Sequence, residues 1–197
     1  MPRAKSYDRK LVLQRAMGAF WDQGYEATSI SDLETVMGIN RYSLYDSFGG
    51  KKLLFLDCMS AYRQEVMELQ TAVLIAPGGA DGVRQFFGSF LRAPQSVRQR
   101  GCLVMNSLVE LSGRDAEIDA AVKSHIRFVE GRLRRAVLQA QADFAIDPSV
   151  KATSVTSHLL TLLQGVLAFG KSPYGRPIGK AAVENALDIL ITGRYPA

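Results

Sequence analysis

Between Gly38 and Lys52 the chain reads GINRYSLYDSFGGKK, placing an arginine, two tyrosines, two serines and a closing pair of lysines within fifteen positions. Residues of these types, clustered at the start of a short helix, suit hydrogen bonding to the edges of base pairs. Arg41 can address a guanine edge, Tyr42 can stack on a thymine methyl or donate to a base, and Ser43 can touch either. Tyr45, Lys51 and Lys52 are placed to hold phosphates, which orient a protein on a duplex without reading its sequence. Exposed N–H groups at helix starts also suit phosphates, and one such start lies at Ser29. Core helices hide their aromatics and solvated loops rarely cluster them, so outward tyrosine hydroxyls make sense against a polyanion.

Other chemistry has little support. Cys58 and Cys102 lie far apart with no metal-ligand spacing, and His125 and His158 have no ligand-type partners near them in sequence. Neither H-E-x-x-H nor G-x-S-x-G occurs, so no catalytic residue, metal or cofactor is expected. The stretch GVLAFGKS, Gly165 to Ser172, satisfies the spelling of a phosphate-binding loop, but that mechanism needs a preceding strand and a following helix. Here a helical pattern precedes it and Pro173 follows, so it reads as a helix end.

The elements that must position these residues are helices. No segment alternates apolar and polar residues as a strand would, and the chain reads as all-α with about nine helices. The first runs from about Tyr7 to Gln23 and stops at Gly24. Ser29 or Thr28 caps a second that buries Ile30, Leu33 and Val36 or Met37 and ends at Gly38. Asn40 caps a third holding Leu44 and Phe48 inward, with Gly49 and Gly50 behind it. The arrangement of two short helices about a tight turn, roughly residues 30–49, is a helix-turn-helix. A long fourth helix is expected from Lys51 to about Ile75, a fifth over Gly82 to Arg92 and a sixth over Cys102 to Leu111. Asp115 caps a long seventh. Asp147-Pro148 reads as the start of an eighth, and Pro177 opens a ninth.

The chain has 197 residues and a net charge of +5, with eight basic and six acidic residues in positions 1–55 against sixteen and thirteen in the rest. The excess is not sorted by region, so the motif carries the reading rather than the charge. The N-terminus lacks an apolar signal-like core, and no apolar run reaches the roughly 18 residues of a membrane span. A soluble cytoplasmic protein that contacts no membrane is expected.

Residues 7–66 resemble the DNA-binding domain of the TetR/AcrR family of transcriptional regulators. The family pattern joins F-x-x-x-G-[YF], T-[ST]-[IV], a short helix ending in G-[IV], and L-Y-x-x-F-x-x-K-x-x-L. In this chain those stand as FWDQGY, TSI, MGI and LYDSFGGKKLL. Many members carry His before the Phe as a phosphate contact; Ser47 occupies that position here and makes a weaker site. The basic N-terminal arm, with Arg3 and Lys5, resembles arms that reach DNA beside the recognition helix. The resemblance implies a sequence-specific regulator of the repressor type, with a homodimeric C-terminal domain over residues 67–197 and a small-molecule effector that releases operator DNA.

Apolar stripes on the last two helices suggest dimer contacts through Leu159, Leu163, Val166, Val183, Leu187 and Leu190. Candidates for the effector site are Phe86, Phe90, Cys102, Met105, Asn106, Glu110, Phe128 and Gln164. For each aromatic and methionine the alternative is ordinary core, and for Asn106 and Glu110 it is a solvated helix edge. RGCLVMN, around Cys102, resembles a segment of some family members that sense oxidants through cysteine, and Arg98, Arg100 and a helix start would favour a reactive thiolate there, whereas free cysteine is usually buried and inert. The rival function is a helical ligand- or partner-binding module without DNA recognition.

Overall fold

The computed structural model describes residues 7–192, and among them every regular element is helical. Contacts gather the chain into two units: residues up to Val66 with Cys102–Val122, and Met67–Gly101 with the described residues from Lys123 onward. One division between the units falls after Val66, and the segment 102–122 groups with the residues before it.

In the first unit, α1 (Arg9–Gln23) begins at Asp8, whose carboxylate accepts the Lys10 and Leu11 N–H groups at 2.8 and 3.4 Å. Such a cap satisfies donors that a helix start leaves without partners. α2 (Ile30–Met37) starts in a reciprocal capping box: Asp32 N–H donates to the Ser29 hydroxyl, and Ser29 N–H donates to the Asp32 carboxylate. Gly38 turns the chain with φ +69, a left-handed conformation that costs glycine little. Asn40 then accepts the Ser43 N–H at 2.8 Å and opens α3 (Arg41–Phe48). α3 drives Leu44 and Phe48 inward, where they are 0% and 4% exposed.

α4 (Lys51–Tyr62) follows Gly50 and packs along α1. Their shared core holds Phe20 and Phe55 edge-to-face at 4.9 Å, with the Tyr25 ring 4.9 Å from Phe55. Truncating a ring so placed typically costs about 3–5 kcal/mol. α8 (Leu103–Leu111) lies against α1 and α4, and α9 (Ala116–Ala142) begins in this unit at Asp115, whose carboxylate accepts the Glu117 and Ile118 N–H groups.

Beyond Tyr62 the helical path continues, but not as the uniform helix expected to Ile75. A π-helical turn, Arg63–Met67, leads into α5 (Glu68–Thr71) and a 3₁₀ turn, Ala72–Leu74. In the second unit, α6 (Gly79–Arg92) starts earlier than expected and buries Val83, Phe86 and Phe87. A four-residue helix, α7 (Gln95–Arg98), occupies the segment expected to be loop. α10 (Ala152–Gly170) and α11 (Gly175–Thr192) pack on each other and on α6.

α10 starts at Ala152 rather than at Asp147-Pro148. Those two residues form a turn in which the Asp147 carboxylate accepts the Ser149 N–H at 2.8 Å. The Gln141 side-chain amide fastens that turn by donating to the Asp147 and Val150 carbonyls at 3.1 and 2.7 Å. At 19 residues α10 has the length and apolarity of a membrane-crossing helix. Its inner stripe of Val155, Leu159, Leu163 and Val166 is nevertheless buried within the unit, and Ser157, His158 and Thr161 line its outer side.

Candidate nucleic-acid interface

With Leu44 and Phe48 anchored, the 100° step of the helix turns Arg41, Tyr42 and Tyr45 away from the core. Tyr42 is 79% exposed and Tyr45 46%. An exposed tyrosine of this degree on an eight-residue helix forgoes apolar burial, so its value lies in what it can meet outside the chain. The Arg41 guanidinium stands 5.8 Å from the Tyr45 ring centre, one helical turn away, and Tyr45 in turn packs over the Gly50 backbone. Arg41 makes no ion pair with a carboxylate among the described residues. Ser43 is half-buried beside them.

Several flanking residues are engaged within the unit. Ser47 is half-buried and hydrogen-bonded to the Tyr7 hydroxyl. Ser29 uses its N–H, and its hydroxyl as donor at 2.6 Å and as acceptor, on Asp32, so the Ser29 and Asp32 N–H groups at that helix start are engaged within the unit. The Ser29 hydroxyl, with its backbone N–H, holds the Asp32 carboxyl below its usual range. The Lys51 ammonium lies 4.4 Å from the Tyr25 ring centre and 3.5 Å from the Glu26 carbonyl. Arg3 and Lys5 lie outside the described residues.

Lys52 departs furthest from expectation. Its ammonium is clasped by Glu117 at 3.1 Å and Asp115 at 3.4 Å, at the start of α9. These carboxylates raise the lysine's pKa, Glu117 foremost. Asp115 is lowered, chiefly by the Ile118 N–H at its cap and to a lesser degree by Lys52. The partners stand more than sixty positions apart, so no local pattern announces them.

Sequence reasoning also missed the role of Glu110. Its carboxylate accepts the Tyr25 N–H at 3.0 Å and the Glu26 N–H at 2.7 Å, fastening α8 to the turn after α1. Arg9 stacks 4.6 Å from the Phe48 ring centre and pairs with Asp57 at 2.8 Å, while Lys10 pairs with Glu65 at 3.5 Å.

The effector candidates fall into two groups. Cys102, Met105, Asn106 and Glu110 belong to the first unit, and Phe86, Phe90, Phe128 and Gln164 to the second. Cys102 is 3% exposed and caps α8; burial pushes its thiol up, against smaller opposing contributions from the Tyr62 hydroxyl and nearby backbone N–H groups. Cys58 is raised for the same reason. Phe86 is wholly buried, edge-to-face with Phe87 and Phe90, and Phe128 lies beneath Arg132 at 5.1 Å.

The residues expected at a dimer face sit elsewhere. Leu159, Leu163, Val166, Val183 and Leu187 are no more than 6% exposed in the single chain, and Leu190 is half-buried. The first five are therefore core between α10, α11 and α6. The outer surface of α10 and α11 instead carries Thr161, Ala168, Ile178, Ala181, Ala182 and Asn185, all exposed.

Comparison with known proteins agrees with this geometry. Residues 12–58 match the family described as bacterial regulatory proteins, tetR family, and residues 79–171 match the tetracyclin repressor-like C-terminal domain. The uncharacterised HTH-type transcriptional regulator YezE of Bacillus subtilis is 34% identical over 145 residues, spanning 72% of this chain and 74% of its own. The HTH-type transcriptional repressor ComR of Escherichia coli is 29% identical over 167 residues, 83% of this chain and 80% of its own. Among solved structures, the TetR family regulator CifR, as a cysteine mutant complexed with 26bp operator DNA, superposes with a TM-score of 0.79 at 28% identity, over 94% of this chain and 98% of its own. The chain belongs to the TetR family of bacterial regulatory proteins.

Proposed function

We propose that the protein is a cytoplasmic, homodimeric transcriptional repressor that reads operator DNA through α3 and releases it when a small molecule binds the C-terminal region. The observation that carries this reading is the outward set Arg41, Tyr42 and Tyr45 on a helix whose Leu44 and Phe48 are locked inward. Arg41 supplies the planar fork that suits a guanine edge, Tyr42 and Ser43 make the adjoining base contacts, and Tyr45 and Lys51 take phosphates. Lys52 joins them only by exchanging its carboxylates for phosphate.

One recognition helix reads one groove, so two heads must meet successive major grooves about 34–36 Å apart. A copy docked on the outer faces of α10 and α11 provides the pairing, since Thr161, Ala168, Ala181 and Ala182 are small enough for close helix approach. The repressor sense is drawn from ComR, and operator binding from CifR. For the effector, Gln70 and Gln164 each bury a side-chain oxygen with no hydrogen-bond partner among the described residues. Leaving such a group unsatisfied costs about 1–3 kcal/mol, which a ligand donor would relieve.

The test is a gel shift with the protein's own upstream DNA. A sequence-specific shift is expected, and Arg41→Ala should weaken it by about 1–3 kcal/mol while relaxing preference at one base position. Lys51→Ala should weaken binding to all sequences alike. No shift at low salt would leave a helical binding module without DNA recognition, and identical behaviour of the two variants would overturn the assigned roles.

A further inference from the structure

Within the second unit, α6 and α11 bound an open groove of about 410 Å³ that the DNA-binding role does not use. Its volume lies in the lower part of the roughly 300–1,000 Å³ range of small-molecule sites. Gly179 of α11 lies beside Leu91 of α6, and a Cβ there would meet Leu91 in ordinary contact at 3.7 Å. Leu91, Val183 and Leu187 give the groove an apolar lining.

Four cations converge on this lining: Arg84 and Arg92 from α6, and Arg176 and Lys180 from α11. Lys180 pairs with Glu184 one turn along at 3.6 Å, both side chains being more than half exposed. An exposed pair of that kind contributes little and exchanges readily. Asp188, the remaining acid, has an interaction of its own. Arg84, Arg92 and Arg176 have no carboxylate within ion-pairing distance among the described residues. Arg92 folds back across its own helix, with its Nη1 at 2.5 Å from the place a Cβ at Gly88 would occupy. The bare backbone of Gly88 thus gives the guanidinium room to lie along the groove.

Beside an apolar lining, the four cations outnumber the two acids Glu184 and Asp188, which leaves guanidinium donors that an oxyanion could take up. The planar fork of arginine matches carboxylate and phosphate oxygens in pairs. We propose that the α6–α11 groove binds a small amphipathic anion, a carboxylate or phosphate monoester whose apolar body lies on Leu91, Val183 and Leu187. This site is separate from the buried side chains considered above for the effector, and its occupancy can be read without DNA.

The experiment is calorimetric titration of the full-length protein at low salt with octanoate, phenyl phosphate and inorganic phosphate. It is paired with methyl chemical-shift mapping. The amphipathic probes are expected to bind about tenfold or more tighter than inorganic phosphate, because only they cover the apolar lining. Octanoate ahead of phenyl phosphate assigns the carboxylate, and the reverse order the phosphate ester. Shifts should concentrate at Leu91, Val183 and Leu187. Arg92→Ala should weaken binding about tenfold, and Gly88→Ala, which displaces the Arg92 guanidinium, should weaken it without removing a charge. Arg134→Ala, on exposed α9 surface, should change nothing. Thermal melts of each variant separate lost binding from lost folding. No binding at millimolar probe, shifts centred elsewhere, or equal weakening by Arg92→Ala and Arg134→Ala would each overturn the proposal.

Discussion

Removing the Glu110 carboxylate should loosen the N-terminal unit more than any other single change on the α8 surface. Two backbone N–H groups, of Tyr25 and Glu26, donate to it at 3.0 and 2.7 Å. In Glu110→Ala both lose their acceptor; water reaches the exposed Glu26 N–H freely and the part-buried Tyr25 N–H only in part. A hydrogen bond to a charged group contributes about 1.5–3 kcal/mol, and partial rehydration trims that, so about 3 kcal/mol in total is expected. For a chain of this size that corresponds to a melting temperature lower by about 6–12 °C. Glu110→Gln keeps one acceptor oxygen and should lose about half as much. Gly24 supplies an internal control. It stands at φ +88 and ψ 172, a region open almost only to glycine, and a Cβ there would sit 2.9 Å from the Glu110 carboxylate. Gly24→Ala therefore combines backbone strain with a displaced carboxylate, and the second contribution vanishes once Glu110 is gone. Thermal or urea unfolding of the two single variants and the double variant should show a double variant less destabilised than the sum, by about 1 kcal/mol. Additivity within about 0.5 kcal/mol, or a Glu110→Ala variant as stable as the parent, would refute the clamp.

Other expectations follow from the same contacts. Asp115→Asn with Glu117→Gln should release Lys52, raising affinity for DNA of any sequence and steepening the slope of log K against log salt by about one; an unchanged slope would show that Lys52 never reaches phosphate. Burial holds both cysteine thiols high, so neither Cys58 nor Cys102 should react with a disulfide reagent at pH 8 until the chain unfolds, and fast labelling of Cys102 in the native protein would revive the oxidant-sensing reading. Asp32 and Asp115 have folded pKa values below the unfolded carboxylate, so their stabilisation is complete above about pH 4 and is lost as pH falls through the depressed values. Ser29→Ala, which removes the hydroxyl chiefly responsible at Asp32, should flatten that acid loss in a pH-dependent melt.

What was legible in the sequence was local. The Asn40 cap, the Ser29 cap, the Gly38 turn and the Asp115 cap each lie within four residues of what they satisfy, and each is present. The Asp147-Pro148 start failed because Gln141, six and nine residues upstream of its two acceptors, stabilises a competing turn there. The dimer face failed for a different reason. Apolar periodicity shows that a helix stripe is buried but is silent about what buries it. Leu159, Leu163 and Val166 would read the same against α11 of their own chain as against a second copy. For Cys102 the sequence left two readings open: a helix start and neighbouring arginines favour a thiolate, whereas a buried sulfur responds first to desolvation, and its burial favours the inert one.

The charge pattern of the head concentrates recognition on α3. Of the basic side chains described in its first helices, Arg9, Lys10 and Lys52 face carboxylates, Arg15 approaches the Met37 carbonyl at 3.5 Å, and Lys51 rests on Tyr25. Exposed ion pairs of this kind contribute little to stability, roughly 0–1 kcal/mol each. They do, however, lower the potential that a passing polyanion meets, so non-specific attraction to DNA is weaker than the residue count alone would suggest. Arg41, like Lys51, has an aromatic neighbour and no acid partner among the described residues, and it is the basic side chain that α3 itself carries. A head built this way discriminates well because little of its affinity comes from contacts that every sequence offers. In the binding mode proposed above, base contacts from Arg41 and Tyr42 would decide where it stays, and the clasped lysine would add phosphate affinity only when a duplex displaces Asp115 and Glu117.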